Sequence, residues 1–339
     1  MSLLLKLILI VFIILIGFLF TFIWIKNRRL KILDSLRSKL FLVTLPARGK
    51  EDKSLEDELT LMEQFFSNII SFGKPVTLEA SVSSLGEDIH FYISISRENS
   101  GSLLRQIHSI WDDAVVEEVG DYSIFNNDNE TLGGHIMQAE TSALPIRTYK
   151  ETSSDTFKGI LGALSKVNEI GEGASIQLVI KPALSSDKKN IKTILSSLKK
   201  GNKIGDFKGG FSSEDIKEAI YGKEDKKEEK KEVDQDQIDL VKNKLSKPLV
   251  AVNLRIIASA SSKEKTKEIL DGLAAGFSQF ESSSRNEFKV VKNRSIKNLS
   301  HNFSFREFSN KEKMILNTEE LTSIFHFPLS ANETSRVKS

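Results

Sequence analysis

From Leu7 to Ile25 the chain runs nineteen residues without a charge, nearly all of them Leu, Ile, Val or Phe. As a helix at about 1.5 Å per residue, such a run is roughly 28 Å long, close to the hydrocarbon thickness of a bilayer. Lys6 stands where its stem can reach the interface, and Trp24 where indole rings prefer to sit. A cleaved signal peptide is the rival reading, but its apolar stretch would be shorter and small residues would come after it. Here Lys26, Arg28, Arg29 and Lys31 come at once. The sequence therefore predicts an uncleaved transmembrane helix over residues 3–25 and a basic juxtamembrane linker over 26–39.

The same cations set the orientation. Lys26, Arg28, Arg29, Lys31, Arg37 and Lys39 lie after the apolar run, whereas only Lys6 and the amino terminus precede it. Positive residues stay on the cytoplasmic side. The expectation is a single-pass protein of the inner (plasma) membrane, with the lipid bilayer as one partner and its bulk in the cytoplasm. The chain has no cysteine, which agrees with a reducing compartment and excludes disulfides, thiolate zinc sites, iron–sulfur clusters and cysteine nucleophiles.

The whole chain, apolar segment included, has the composition of a folded protein, 40% hydrophobic and 28% charged. Its 48 basic and 46 acidic residues leave a net charge of +2, too small an excess for a dedicated nucleic-acid binder, so no sequence-specific nucleic-acid binding is expected. Periodicity divides the part after the linker into short strands and amphipathic helices. Phe41–Leu45 reads as a strand, and Ser54 with Asp57 forms a capping box for a helix carrying Leu55, Leu59, Met62, Phe66 and Ile69 on one face. Val76–Val82 and Ile89–Ile95 read as paired strands. Asn99 or Ser100 is the expected cap of a helix with Leu103, Leu104, Ile107, Ile110 and Trp111, after which comes the strand Ala114–Val119. This order is that of a ferredoxin-like sandwich, expected over residues 40–125.

The pattern recurs over 131–293. His135–Thr141, Ser175–Ile180, Leu249–Ala258 and Phe288–Val291 are the expected strands. Thr152–Val167 and a segment opened by Ser261 with Glu264 are the expected helices. Residues 185–247 interrupt it. Their last part, Lys223–Lys247, holds eight basic and eight acidic residues and few hydrophobes, which reads as a solvated, mobile insertion in an edge connection. Residues 294–339 read as a tail with a short helix at 317–326. The expected class is thus α+β: a transmembrane helix and two ferredoxin-like units, the second with a charged helical insertion.

Sequence motifs nominate no catalytic, cofactor-binding or metal-binding residue. A phosphate loop needs glycine spacing and then Lys and Ser/Thr, yet Gly73–Lys74 leads into proline and Gly49–Lys50 into glutamate. Gly171–Glu172–Gly173 precedes a strand and lacks the third glycine of a dinucleotide turn. Gly133–Gly134–His135 reads as a turn before a strand, and His326 as a packed or helix-capping residue. No Gly-x-Ser-x-Gly elbow occurs. The chain reads as a non-enzyme without a cofactor.

Several stretches together carry a family resemblance: Leu45–Pro46, the helix Glu56–Phe72, the run from Leu144 to Tyr149, the run from Ile176 to Pro182, and the run from Leu316 to Pro328. In this order they resemble the membrane-anchored amino-terminal region of bacterial ATPases related to type IV secretion coupling proteins, over residues 3–328. In that family a transmembrane helix and an α+β region precede a hexameric HerA/FtsK-type motor. The His–Phe–Pro stretch leads into the motor there, whereas this chain stops at Ser339. The resemblance therefore implies an anchor and cytoplasmic adaptor that positions a motor ATPase absent from this chain, within a type IV secretion or conjugative DNA-transfer apparatus. Implied partners are that ATPase or other secretion components, and self-association stays open. Leu321, Ile324 and Phe325, on one face of the short helix, are the candidate contact for a motor or a neighbouring subunit, with packing on their own domain as the plain alternative. The runner-up function is an assembly-platform protein of a type IV pilus or type II secretion machine, which shares the architecture.

Overall fold

The structure, a computed structural model, describes residues 10–23, 25–26, 37–46, 54–86, 88–167, 169–207, 233–293 and 295–328. A helix, α1, spans 10–23, and a helical turn covers 25–26 with Lys26 exposed. Among the described residues no helix is long and apolar enough to cross a membrane. The flanks of the apolar run (1–9 and 24) and the cations Arg28, Arg29 and Lys31 lie outside the described residues.

The first half then runs β1 (Ser38–Thr44), α2 (Leu55–Ile70), β2 (Val76–Val82), β3 (Ile89–Ser96), α3 (Arg97–Ile110) and β4 (Val115–Val119). The second runs β5 (Glu130–Gln138), the single turn α4 (Tyr149–Thr152), α5 (Lys158–Leu164), β6 (Gly173–Pro182), α6 (Ser185–Leu198), α7 (Gln235–Leu245), β7 (Leu249–Ala260), α8 (Lys263–Ala275) and β8 (Phe288–Lys292). Three elements complete the fold: α9 (Ile296–Ser304), β9 (Met314–Asn317) and α10 (Thr318–Ile324).

All described strands join one antiparallel sheet, whose main path runs β4-β1-β3-β2-β6-β7-β5-β8. The first four strands stand as fourth, first, third, second, and the next four repeat that order in reverse. The halves meet edge to edge where β2 pairs with β6 from Val76↔Ile180 to Val82↔Ala174. β9 pairs with the start of β7, beside the stretch that β5 takes. The molecule is therefore α+β with a large antiparallel sheet.

Alternation decides the two faces. Val250, Val252, Leu254, Ile256, Ala258 and Ala260 of β7 belong to the main core, which α2, α3, α5 and α8 cover. Ala251 and Asn253 fall on the other side, as the period of a strand requires. Phe325 and Phe327 complete this core, edge-on to Phe91 with ring centroids 6.0 and 5.8 Å away. The opposite face is covered by α6 and α7, whose Ile191, Ile194, Ile238 and Val241 pack on Ala251 and Ile315. Alongside them, α9 sets Leu299 and Phe303 against Ile257.

The Ser54–Asp57 capping box forms, with reciprocal bonds of 3.2 and 3.3 Å. Other expectations are corrected. Helix α3 opens at Arg97 after Ser96, ahead of Asn99 and Ser100. The helix expected over Thr152–Val167 is broken, because Ser153 turns left-handed (φ 50°) and Asp155 caps a new start by accepting from the Phe157 and Lys158 amides. Gly133–Gly134 is no turn but lies inside β5. A Cβ on Gly133 would stand 2.6 Å from Leu299 Cδ2 and 2.8 Å from the Ile256 carbonyl oxygen, so α9 packs this closely only on glycine. The insertion is not wholly solvated: α6 and α7 are packed, and only 208–232 of it lies outside the described residues. Nor is 294–328 a tail, since it supplies α9, β9 and α10.

Leu254 is fully buried at the centre of the sheet. Leu254→Ala should cost about 2–5 kcal/mol in urea unfolding of the fragment from Arg37 onward, through lost burial plus the cavity left behind. A cost below about 0.5 kcal/mol would place that strand at an unpacked edge.

Candidate functional site

Residues that point away from the main core carry the chain's buried polar chemistry. Strand register aligns Tyr92, Glu79, Gln177, Arg255 and His135 in one row across β3, β2, β6, β7 and β5. The Gln177 side-chain amide donates to Glu79 Oε1 at 2.7 Å, and Arg255 Nη1 donates to Gln177 Oε1 at 2.8 Å. Arg255 also donates to Glu312 Oε2 at 3.1 and 3.2 Å and to the Glu307 carbonyl at 2.6 Å. Glu79 accepts from Arg306 Nε at 3.1 Å and from the Tyr122 hydroxyl at 2.9 Å. Arg306 holds a left-handed backbone (φ 51°), a conformation rare for a long side chain, just where it turns its guanidinium onto Glu79 and Asp121. Tyr122 stacks on Tyr92 with centroids 4.2 Å apart. Burial, with Glu79 adding to it, raises the Tyr92 phenol to about 12 and Tyr122 well above its ordinary range. Burial works against the Arg306 charge, but Glu79, Tyr122 and Asp121 outweigh it and hold the guanidinium above its usual range. At the end of the row, burial lowers His135, partly opposed by Glu312.

This row spans the seam between the halves and extends into the segment after α9. Its carboxylates and guanidiniums are matched to one another, so what the arrangement does is fix position: it sets the β2–β6–β7 register and seats residues 302–312 on the sheet.

A second cluster holds α10. Asn317 and Glu320 form a capping box, and Glu320 also accepts from the Ile146 amide at 3.0 Å and pairs with Lys244 at 2.8 Å. Both members of that pair are fully buried. Burial lowers the Lys244 ammonium, and Glu320 opposes it. Lys247 reaches Glu63 at 2.7 Å and Glu319 at 2.6 Å, and Thr148 donates to Glu319 at 2.6 Å. Burial would raise the Glu319 carboxyl, but Lys247 and Thr148 hold it below its usual range. The Tyr149 amide donates to Ser323 Oγ at 3.0 Å, and His326 Nε2 lies 3.1 Å from Asp155. The 144–149 and 316–328 stretches therefore lie against each other. Leu45–Pro46 and Phe327–Pro328 likewise line a cleft beside Trp111 of about 20 Å³, room for little more than one water.

Of the positions singled out from sequence, Lys26 is exposed while Arg28, Arg29 and Lys31 lie outside the described residues. Leu321, Ile324 and Phe325 are 0%, 0% and 1% exposed, buried in this chain's own core. The face nominated as a partner contact is thus already covered, and the plain alternative of packing on the parent domain describes it. Sequence motifs do not nominate the polar row, although Glu79 in an apolar strand and Asn253–Arg255 at alternate positions of β7 carry its signal. Among the described residues no group of three or more His, Asp or Glu is placed to hold a metal ion.

A family model described as a domain of unknown function, DUF8128, matches residues 79–339, and the chain belongs to that family. The match takes in the polar row from Glu79 to Glu312, and the α10 cluster except Glu63 of α2. No curated protein matches the chain.

The Lys244–Glu320 pair should behave as a unit. Lys244→Met alone strands a buried carboxylate and should cost about 3–5 kcal/mol, whereas Lys244→Met with Glu320→Gln should recover much of it. Urea midpoints check this. Equal losses in the single and double variants would mean that the pair is not desolvated.

Proposed function

We propose that this protein is a non-catalytic membrane anchor and adaptor, held in the inner membrane by its apolar segment with the folded body on the cytoplasmic side. One observation carries the reading. Every large apolar side chain described in α1, from Ile10 to Ile23, is exposed, the most open being Phe18 at 71% and Phe20 at 72%. Elsewhere among the described residues, large exposed hydrophobes are scattered singly, at Leu85, Val115, Ile170, Leu184 and Val233, apart from Ile25. A continuous apolar surface of that kind marks a membrane or protein contact. The charge-free run Leu7–Ile25 has the length for lipid, and the cations from Lys26 onward favour the cytoplasmic side for the folded body.

The two halves of the sheet read as ferredoxin-like units fused at their second strands, a reading supported by their strand order. The partner in this proposal is a HerA/FtsK-type motor ATPase of a type IV secretion or conjugative apparatus. Its support is the resemblance, whose 144–149 and 316–328 stretches are in mutual contact. Because Leu321 and Phe325 are core residues, the docking surface has to be sought elsewhere on the body.

Protease added to intact spheroplasts should leave the body uncut, while inverted vesicles should expose it. Membranes solubilised gently should co-purify a HerA/FtsK-type ATPase with the full chain. Cleavage from the outside would overturn the orientation, and recovery of pilus-assembly proteins in place of the motor would overturn the adaptor assignment.

A further inference from the structure

Strand register orders the charges along the sheet. Lys39 lies opposite Ile95, Ile95 opposite Val76, Val76 opposite Ile180 and Ile180 opposite Val252. Beyond this line are the start of β1, the turn into β2, the β3–α3 junction and the exit of β6 into α6. It is the end that the chain reaches first after the apolar segment, since Arg37 is the first described residue after the 25–26 turn. Arg37, Lys74 and Arg97 are exposed there, with Lys188 and Lys189 in the first turns of α6 and Lys192 one turn on. The acids nearby are few: Glu98 is exposed, Asp121 after β4 is exposed and bridged to Arg306 at 2.9 Å, and Asp187 is buried and bridged to Lys313 at 2.6 Å. Lys39 is bridged to Glu118 at 2.6 Å and adds nothing to the excess.

The other end of the same strands has the opposite sign. Asp88, Asp112, Asp113, Asp128, Glu130 and Glu169 are exposed there, against Lys166, Lys263 at the start of α8, and Lys292 and Lys297 at and after the end of β8, which runs toward this end. The β5–β8 corner is mixed, with Arg285 bridged to Glu151 at 3.1 Å, and stands at the far edge of the sheet from β4.

We propose that the basic end of the body lies on an anionic bilayer surface, its ligands being acidic phospholipid headgroups and its contacts Arg37, Lys74, Arg97, Lys188, Lys189 and Lys192. The inference rests on the membrane-anchor reading and adds an orientation to it. Charge complementarity and continuity with the apolar segment argue for lipid. Residues 27–36 reach at most about 35 Å even when fully extended, so this end stays close to the surface from which the chain emerges. Clustered cations are drawn to anionic headgroups within about a Debye length, and acids at the far end are repelled, so the body is turned as well as held.

The chain has no cysteine, so single labels can be introduced cleanly. The full chain carrying a fluorophore at Ser71→Cys (basic end) or Asn127→Cys (acidic end) is reconstituted in nanodiscs with a quencher on the lipid headgroup. Discs are phosphatidylcholine alone or with phosphatidylglycerol. Quenching at Ser71→Cys should be at least about threefold stronger in the anionic discs and weaken with salt, whereas Asn127→Cys should not respond. Combining Lys74→Glu, Arg97→Glu, Lys188→Glu and Lys189→Glu should abolish the difference while leaving the unfolding midpoint unchanged, because all four side chains are exposed. Equal quenching in both discs, or an undiminished response in the charge-reversed variant, would overturn the proposal. So would relief of quenching by a short DNA duplex at physiological salt, which would assign the surface to a nucleic acid. A chain that does not remain in the discs would overturn the anchor reading itself, whereas an inserted chain without charge dependence would overturn only this orientation.

Discussion

Glu79 and Arg255 sit near the centre of a sheet whose other face is a hydrocarbon core, and neither is more than 1% exposed. Burying a carboxylate or guanidinium costs several kcal/mol unless partners replace the lost water. The elements around them answer that demand. Gln177 bridges the two across the β2–β6 seam, Arg306 and Tyr122 complete Glu79, and Glu312 with the Glu307 carbonyl completes Arg255. The partners come from both halves and from the segment after α9. None of these parts can shift register without leaving a buried charge exposed to hydrocarbon.

The same logic repeats at α10. Glu320 joins Lys244 of the insertion to the Ile146 amide, and Glu63 and Glu319 share Lys247. The chain's described carboxyl-terminal end thereby returns to the first half, where Phe327 packs edge-on to Trp111 at 5.4 Å. Two polar clusters, and the contacts of Phe325 and Phe327 with Phe91 and Trp111, tie together what the strand order alone would leave as two modules sharing an edge.

Sequence pattern reaches the parts of this fold that alternate cleanly. β2, β3, β6 and β7 have one face wholly apolar, and α2 has both a helical stripe and the Ser54–Asp57 cap. It fails where a residue's role depends on a distant partner. Lys244 and Lys247 sit in a run of balanced charge that reads as solvated, yet Glu320, the buried partner of Lys244, is 76 residues away. Leu321, Ile324 and Phe325 form an apolar face on a short helix, and nothing local says whether the chain itself covers it. β9 has four residues, too few for a period, and is a strand because β7 offers an open edge there. The polar row is legible only as a hint, a glutamate and an arginine placed inside apolar strands.

The polar row also connects the fold to the proposed placement at the membrane, because the register it sets decides which charges share each end of the sheet. A double-mutant cycle between Glu79→Gln and Arg306→Met, read by urea unfolding, tests that row most directly. A coupling of about 1–3 kcal/mol is predicted for a desolvated pair within one network. Additive losses, agreeing within about 0.3 kcal/mol, would contradict the claim that this row holds the two halves and the carboxyl-terminal segment in register.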